Sequence, residues 1–217
     1  MWNTLSKKKP ENSDSYQPNY RIHIDQTLAV QTFQKNFGLL LSQLYVPSSE
    51  LIILCIGTDR STGDSLGPLI GSKLIALGLE SDNVYGTLDN PVHAVNLHST
   101  IEEIFAKHHN PFIVAIDACL GRSESIGYIS LKEGPLQPGT GVNKNLPAIG
   151  DLQIVGIVNV GGFMEYMVLQ NTRLSLVMKM ADIISQGIYW EIMQQDQTCN
   201  ELLLTPDFPV TLEPLHP

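Results

Sequence analysis

LIILCIGTDRSTGDSLGP, residues 51–68, is the stretch whose reading decides the fold. Residues 51–56 are an unbroken apolar run bounded by turn formers, too short to span a membrane and rich in isoleucine. That is the pattern of a strand buried on both faces of a parallel sheet. Gly57 ends the run and TDRSTG supplies turn residues. From Leu66 the apolar spacing turns helical through Leu69, Ile70, Leu74 and Leu77, with Gly78 placed to close the helix. Asp64 is thereby expected near a helix N-terminus, where unpaired backbone N–H groups favour the ionised carboxylate.

A second stretch, FIVAIDACLGR at residues 112–122, repeats the grammar, with a buried strand over 112–116 and Asp117 at its carboxyl end. In open α/β sheets, sites form outside the carboxyl ends of the strands. With a flavodoxin-like strand order the strands ending near Gly57 and at Asp117 are neighbours, and both aspartates face one crevice.

Working outward, residues 84–88 read as the strand between these two, leading into the loop LDNPVHAVNLHS. A helix follows, with Ser99 and Glu102 spaced as a capping box and Ile101, Ile104 and Phe105 facing inward. This βαβαβ rhythm predicts right-handed crossovers, a mostly parallel central sheet and a three-layer αβα fold of the α/β class. Upstream, RIHID from Arg21 reads as a short strand, and Val30, Phe33, Phe37, Leu40, Leu41 and Leu44 mark one face of a helix that covers the sheet. Downstream, residues 126–131 read as a strand at or near an edge, and 134–150 as a long Gly/Pro/Asn-rich loop of the kind that carries function. Residues 152–158 read as a strand that delivers NVGG to the aspartate end of the sheet. A long helix is then expected from near Met164, with Met167, Val168, Leu174, Val177, Met178, Ala181 and Ile184 on its core face; Met164 and Met180 also read as core. The expected organisation is a polar N-terminal tail over 1–20, disordered for want of apolar surface, one α/β domain over 21–190, and a C-terminal tail or arm over 191–217.

The 217 residues are 43% hydrophobic, enough for one core. A net charge of −9, with no Lys/Arg cluster that offsets the acidic excess, argues against a nucleic-acid partner, whose phosphates need basic contacts. Three cysteines, Cys55, Cys119 and Cys199, show no CxxC spacing and leave an odd thiol, so no disulfide framework or zinc ribbon is indicated and a reducing, cytoplasmic compartment is the natural reading. No export signal is visible at the N-terminus and no run of about 18 apolar residues occurs, so no membrane partner is expected.

Two neighbouring carboxylates about 4–6 Å apart cannot both ionise easily, so one pKa rises and the pair shares a proton. Such a dyad activates water with one carboxylate while its protonated partner polarises a peptide carbonyl, and Asp64 and Asp117 are the catalytic candidates. The plainer alternative is that Asp64 caps a helix and Asp117 merely ends a strand. Asp59, Arg60 and Arg122 lie in the two site loops and are candidates to orient substrate or shift the aspartate pKa values; as surface ion pairs they would contribute little. His93 is a candidate if its loop folds over the site, and otherwise a solvated turn residue. Glu165 opens the last long helix, where a carboxylate suits the dipole and a supporting role in the site is open. Cys119 has no base partner in the sequence and reads as packing. Neither GK[ST] nor GxGxxG follows the first strand, so no nucleotide is indicated and no cofactor is expected.

TGDSLGP, then IDACLGR, then PGTGV at 138–142, then IVGIVNVGGFME, together resemble the germination protease family of spore formers. With LDNPVHA at 88–94, the chain looks like the smaller YyaC-type sporulation proteins, described as related to that protease. The resemblance spans residues 51–188 and implies that Asp64 and Asp117 match that family's catalytic aspartates. It implies an aspartate-dependent endopeptidase of sporulation, acting in mother cell, forespore or spore core on protein substrates, small acid-soluble spore proteins first. Hydrogenase-maturation proteases are similar in fold grammar, with metal-binding carboxylates at positions matching Asp64 and Asp117. Their third ligand, a histidine, falls where PGTGVNKNLPAIGD has none. No metal is therefore expected; were one bound, Asp64 and Asp117 would be its hard oxygen ligands, suiting Mg²⁺ or Ca²⁺. A non-catalytic binding protein on the same fold and a metal-dependent maturation-type protease are the alternatives, and self-association as a homo-oligomer is open.

Overall fold

The computed structural model describes residues 19–138 and 147–203. Six strands form one mixed sheet: β1 (Asn19–His23), β2 (Glu50–Cys55), β3 (Val84–Tyr85), β4 (Pro111–Gly121), β5 (Tyr128–Glu133) and β6 (Leu152–Val160). The spatial order is β1-β5-β6-β4-β2-β3. The four strands from β6 to β3 are parallel, while β5 runs antiparallel to both β6 and β1. The adjacency of β2 and β4, expected from the flavodoxin-like order, is present.

Five helices accompany the sheet: α1 (Ala29–Leu44), α2 (Leu66–Leu77), α3 (Leu97–Lys107), α4 (Glu165–Gln170) and α5 (Leu174–Leu203). Alternate residues of the central strands feed two cores. Ile53, Cys55, Val114 and Ile116 pack with Phe33, Phe37, Ile70, Leu74, Val177 and Ile184 of α1, α2 and α5. Ile52, Leu54, Ile113 and Ala115 pack with Leu97 and Ile104 of α3. The layers are therefore αβα, and strands buried on both faces explain the continuous apolar runs.

Several expectations are corrected. The strand at 84–88 stops at Tyr85. Gly86 turns away at φ 89° so close over the Cys55 carbonyl that a Cβ there would overlap it. The helix α3 begins at Leu97, so Ser99 and Glu102 form no capping box. Ser99 Oγ instead donates to the Asn96 carbonyl (2.9 Å), and Phe105 is 52% exposed rather than inward. Residues 19 and 20, assigned to the tail, belong to β1, paired with β5; residues 1–18 lie outside the described part.

The single helix expected from Met164 is two. Asn159 Nδ2 donates to Val168 O and Thr172 Oγ1 (3.2 Å each), and Thr172 Oγ1 donates to Val168 O (3.0 Å). This holds a break between α4 and α5 at Asn171 and Thr172, both poor helix formers. Met164 (φ 53°), Met167 and Leu174 are exposed, not core. At the other end, α5 does not stop near Trp190 but continues to Leu203. The Gln, Glu and Met residues that follow Trp190 are polar or flexible yet good helix formers. Of the loop 134–150, residues 139–146 are outside the described part; its flanks close by a Leu136 to Ile149 bridge, both residues buried.

Candidate functional site

The site lies where β2 and β4 end. Gly57 N–H donates to Val92 O (2.8 Å) and Thr58 N–H to Asp64 O (3.1 Å), folding residues 58–65 into a turn over the strand end. A Cβ at Gly67 would collide with the Ile56 carbonyl, so α2 starts hard against β2. Across from it β4 continues past Asp117 to Gly121, further than its apolar run, because Asp117 and Ala118 pair with Val155 and Gly156 of β6. Asp117 shares strand parity with Ile113 and Ala115, placing its side chain on the α3 face of the sheet.

Asp64 sits one residue before Ser65, the N-cap of α2, in the turn rather than on the helix. No backbone N–H among the described residues reaches its carboxyl group, and its expected preference for the charged form is reversed. Burial pushes its pKa up, tempered by the neighbouring Ser61 hydroxyl. Asp117 is only partly exposed. Burial pushes its pKa up to about 8; Ala118 N–H, donating to Oδ1 at 2.8 Å, lowers it, and the Asp64 charge raises it. Cys119, two residues along the same face of β4, has its thiol pushed up to about 11 by burial and the Asp117 charge, so it is a poor nucleophile near neutrality.

The supporting candidates are dispersed. Asp59, Arg60 and Arg122 are exposed, and none contributes to the shift of either aspartate. His93 is half-buried in the loop before α3; its ring Nδ1 accepts the Val95 N–H (3.3 Å) and its own N–H donates to Asn96 Oδ1 (2.8 Å). Glu165 Oε1 accepts the Gly162 N–H (3.1 Å) and thereby pins the start of α4. Two features escaped the sequence reading. Ser61 is one polar residue among several in a turn, and nothing in its pattern marks it. Leu169 of α4 packs on Gly63 and accepts the Gly63 N–H through its carbonyl (2.9 Å), tying α4 to the Asp64 turn.

Among the described residues no group of three or more His, Cys, Asp or Glu side chains is arranged to hold a metal ion. Residues 139–146 contain none of these types, so they add no ligand of this kind. Two carboxylates alone fall short of the three protein ligands of a catalytic zinc centre. No helix among the described residues is long and apolar enough to cross a membrane.

The family described as a protein of unknown function, DUF1256, matches residues 21–187. The chain belongs to the DUF1256 family. The uncharacterized protein YyaC of Bacillus subtilis (strain 168) is 51% identical over 174 residues, covering 80% of this chain and 85% of that protein. Among solved structures, the NiFe hydrogenase maturation protease HycI of Thermococcus kodakarensis KOD1 is similar, with TM-score 0.49 and 17% identity, covering 71% of this chain and 99% of that one.

Proposed function

We propose that this DUF1256 chain is an aspartate-dependent endopeptidase of sporulation, related to the germination protease, whose dyad is Asp64 and Asp117. One observation carries the reading: two partly buried carboxyl groups lie beyond the carboxyl ends of adjacent parallel strands, both pushed up by burial, Asp117 to about 8, with the Asp64 charge adding to that rise. A carboxyl group that holds its proton near neutrality can donate it, and its less perturbed neighbour can accept one. Asp64 takes a proton from water as the hydroxyl oxygen attacks the peptide carbonyl carbon. Asp117 gives its proton to the carbonyl oxygen. Collapse of the tetrahedral intermediate returns that proton to Asp117, breaks the C–N bond and passes the Asp64 proton to the leaving amine. The residues around TGDSLGP and IDACLGR support the reading through their resemblance to germination protease, and small acid-soluble spore proteins are the substrate class it implies.

The test is incubation of purified protein with acid-soluble spore protein, alongside Asp64→Asn and Asp117→Asn. Cleavage by the parent, unaffected by chelator and lost in both variants, is the expected result. Cleavage that survives both substitutions would remove the dyad from the mechanism.

A second reading, a non-catalytic binding protein, is favoured by the apolar side chains beside the carboxyl end of β6: Phe163 is 87% exposed and Tyr166 61%. It requires that Asp64→Asn leave function intact while substitutions at Phe163 and Tyr166 abolish partner capture.

A further inference from the structure

Ser61 is buried, 4% exposed, and its Oγ is the one buried side-chain oxygen or nitrogen among the described residues with no hydrogen-bond partner. Its backbone carbonyl is already used, accepting the Ser65 N–H (3.0 Å), so the turn does not need the hydroxyl to hold its shape. The neighbouring hydroxyl, Ser65 Oγ, is satisfied by Thr62 O at 2.7 Å. Three residues along the turn lies the Asp64 carboxyl group, which no backbone N–H serves, and the side chain that perturbs it besides burial is Ser61. A buried donor without an acceptor, three residues from a partly buried carboxyl group that no described backbone N–H serves, is a donor in want of that acceptor.

We infer that Ser61 is the positioning residue of the dyad: its hydroxyl donates to the ionised Asp64 carboxylate and holds that carboxylate towards Asp117. The inference rests on the endopeptidase reading for its kinetic consequence, though not for its geometry. In the proton-sharing cycle the donor is engaged when Asp64 is charged and released when Asp64 has taken the proton of the attacking water. A hydroxyl rotates freely enough to follow that change. The contact also separates the roles of the two aspartates, since Asp117 has only the Ala118 N–H.

Two measurements test it. In a crystal structure grown above neutral pH, Ser61 Oγ should lie within about 2.5–3.0 Å of an Asp64 carboxylate oxygen; Oγ turned instead onto a backbone carbonyl overturns the inference. In turnover of acid-soluble spore protein, Ser61→Ala should lower kcat by about tenfold or more, the cost of a hydrogen bond to a charged group, with KM unchanged. Its acid limb should move to higher pH, because the ionised Asp64 has lost its donor, and Ser61→Thr should restore both. A purely structural hydroxyl gives a different result: Ser61→Ala, which removes an unsatisfied buried group, would leave kcat and the pH profile alone. If the parent protein cleaves nothing, the endopeptidase reading falls, while the crystallographic distance still decides the Ser61 contact.

Discussion

At the amino end of the sheet, Glu50 accepts from the His108 ring Nδ1 (2.7 Å) and from the His109 N–H (2.8 Å), and Tyr85 Oη meets the other ring nitrogen of His108 at 2.9 Å. A carboxylate can only accept, so Nδ1 donates and a neutral imidazole takes the tyrosine proton on Nε2. These bonds hold the Glu50 carboxyl below its usual range, the His108 bond foremost. At the carboxyl end, among the described residues, Asp117 has a single backbone donor and Asp64 has none, and burial pushes both upward. Carboxylates with a full set of donors hold structure together; carboxylates kept short of donors remain free to exchange protons. The same sheet thus carries a saturated, structural end and an unsaturated one, where the proposed dyad lies.

The comparison can be broken most sharply at the reactive end. Asp64→Asn or Asp117→Asn should cost at least about a hundredfold in cleavage, the scale of general acid–base catalysis, measured as initial rate on acid-soluble spore protein. A next effect concerns stability. Asp117 in the folded chain keeps its proton up to about 8, whereas the unfolded chain releases it in the ordinary carboxyl range. The folded state binds more protons between those values, so stability falls as pH rises from about 4 to about 8. Asp117→Asn should abolish that slope and be the more stable protein at pH 8 by a few kcal/mol, as denaturant melts at pH 5 and pH 8 would show. Equal slopes for parent and variant would mean that Asp117 is not the group held protonated.

Leu169→Ala tests whether α4 supports the Asp64 turn. Loss of a buried leucine should cost about 2–4 kcal/mol and lower kcat, read by melting and turnover together; a stability loss with unchanged kcat would separate α4 from the site. At the structural end, His108→Ala should cost about 1–3 kcal/mol by stripping partners from Tyr85 and Glu50, with kcat untouched. The smallest effect belongs to Glu50→Gln. A carboxyl group held below its usual range stabilises the fold above its ordinary pKa and loses that contribution as pH falls through the lowered one. The substitution should therefore flatten the acid limb of a melting curve and leave neutral-pH kinetics unchanged.

Much of the fold was legible because isoleucine-rich runs and turn formers are local signals. Residues 51–56 and 112–116 read as buried strands from composition alone, and their adjacency follows once a flavodoxin-like order is taken. What escaped was decided by tertiary contacts. The α4–α5 break depends on Asn159, a strand residue reaching across to Val168 and Thr172. Asn96 spends its side chain on Pro91 O and the His93 N–H, so the start of α3 carries no capping box. In the site, both aspartates stood out by position and a raised pKa for one of them followed from their pairing, yet the upward push on Asp64 did not, because burial is invisible in a sequence. Ser61 was hidden for the same reason.

The most direct measurement is a carbon-13 NMR titration of the aspartate carboxyl carbons in the full chain and in Asp64→Asn. A proton-sharing pair requires Asp117 to titrate near 8 and to shift to lower pH when the Asp64 charge is removed. An Asp117 that titrates in the ordinary carboxylate range, unmoved by Asp64→Asn, would contradict it.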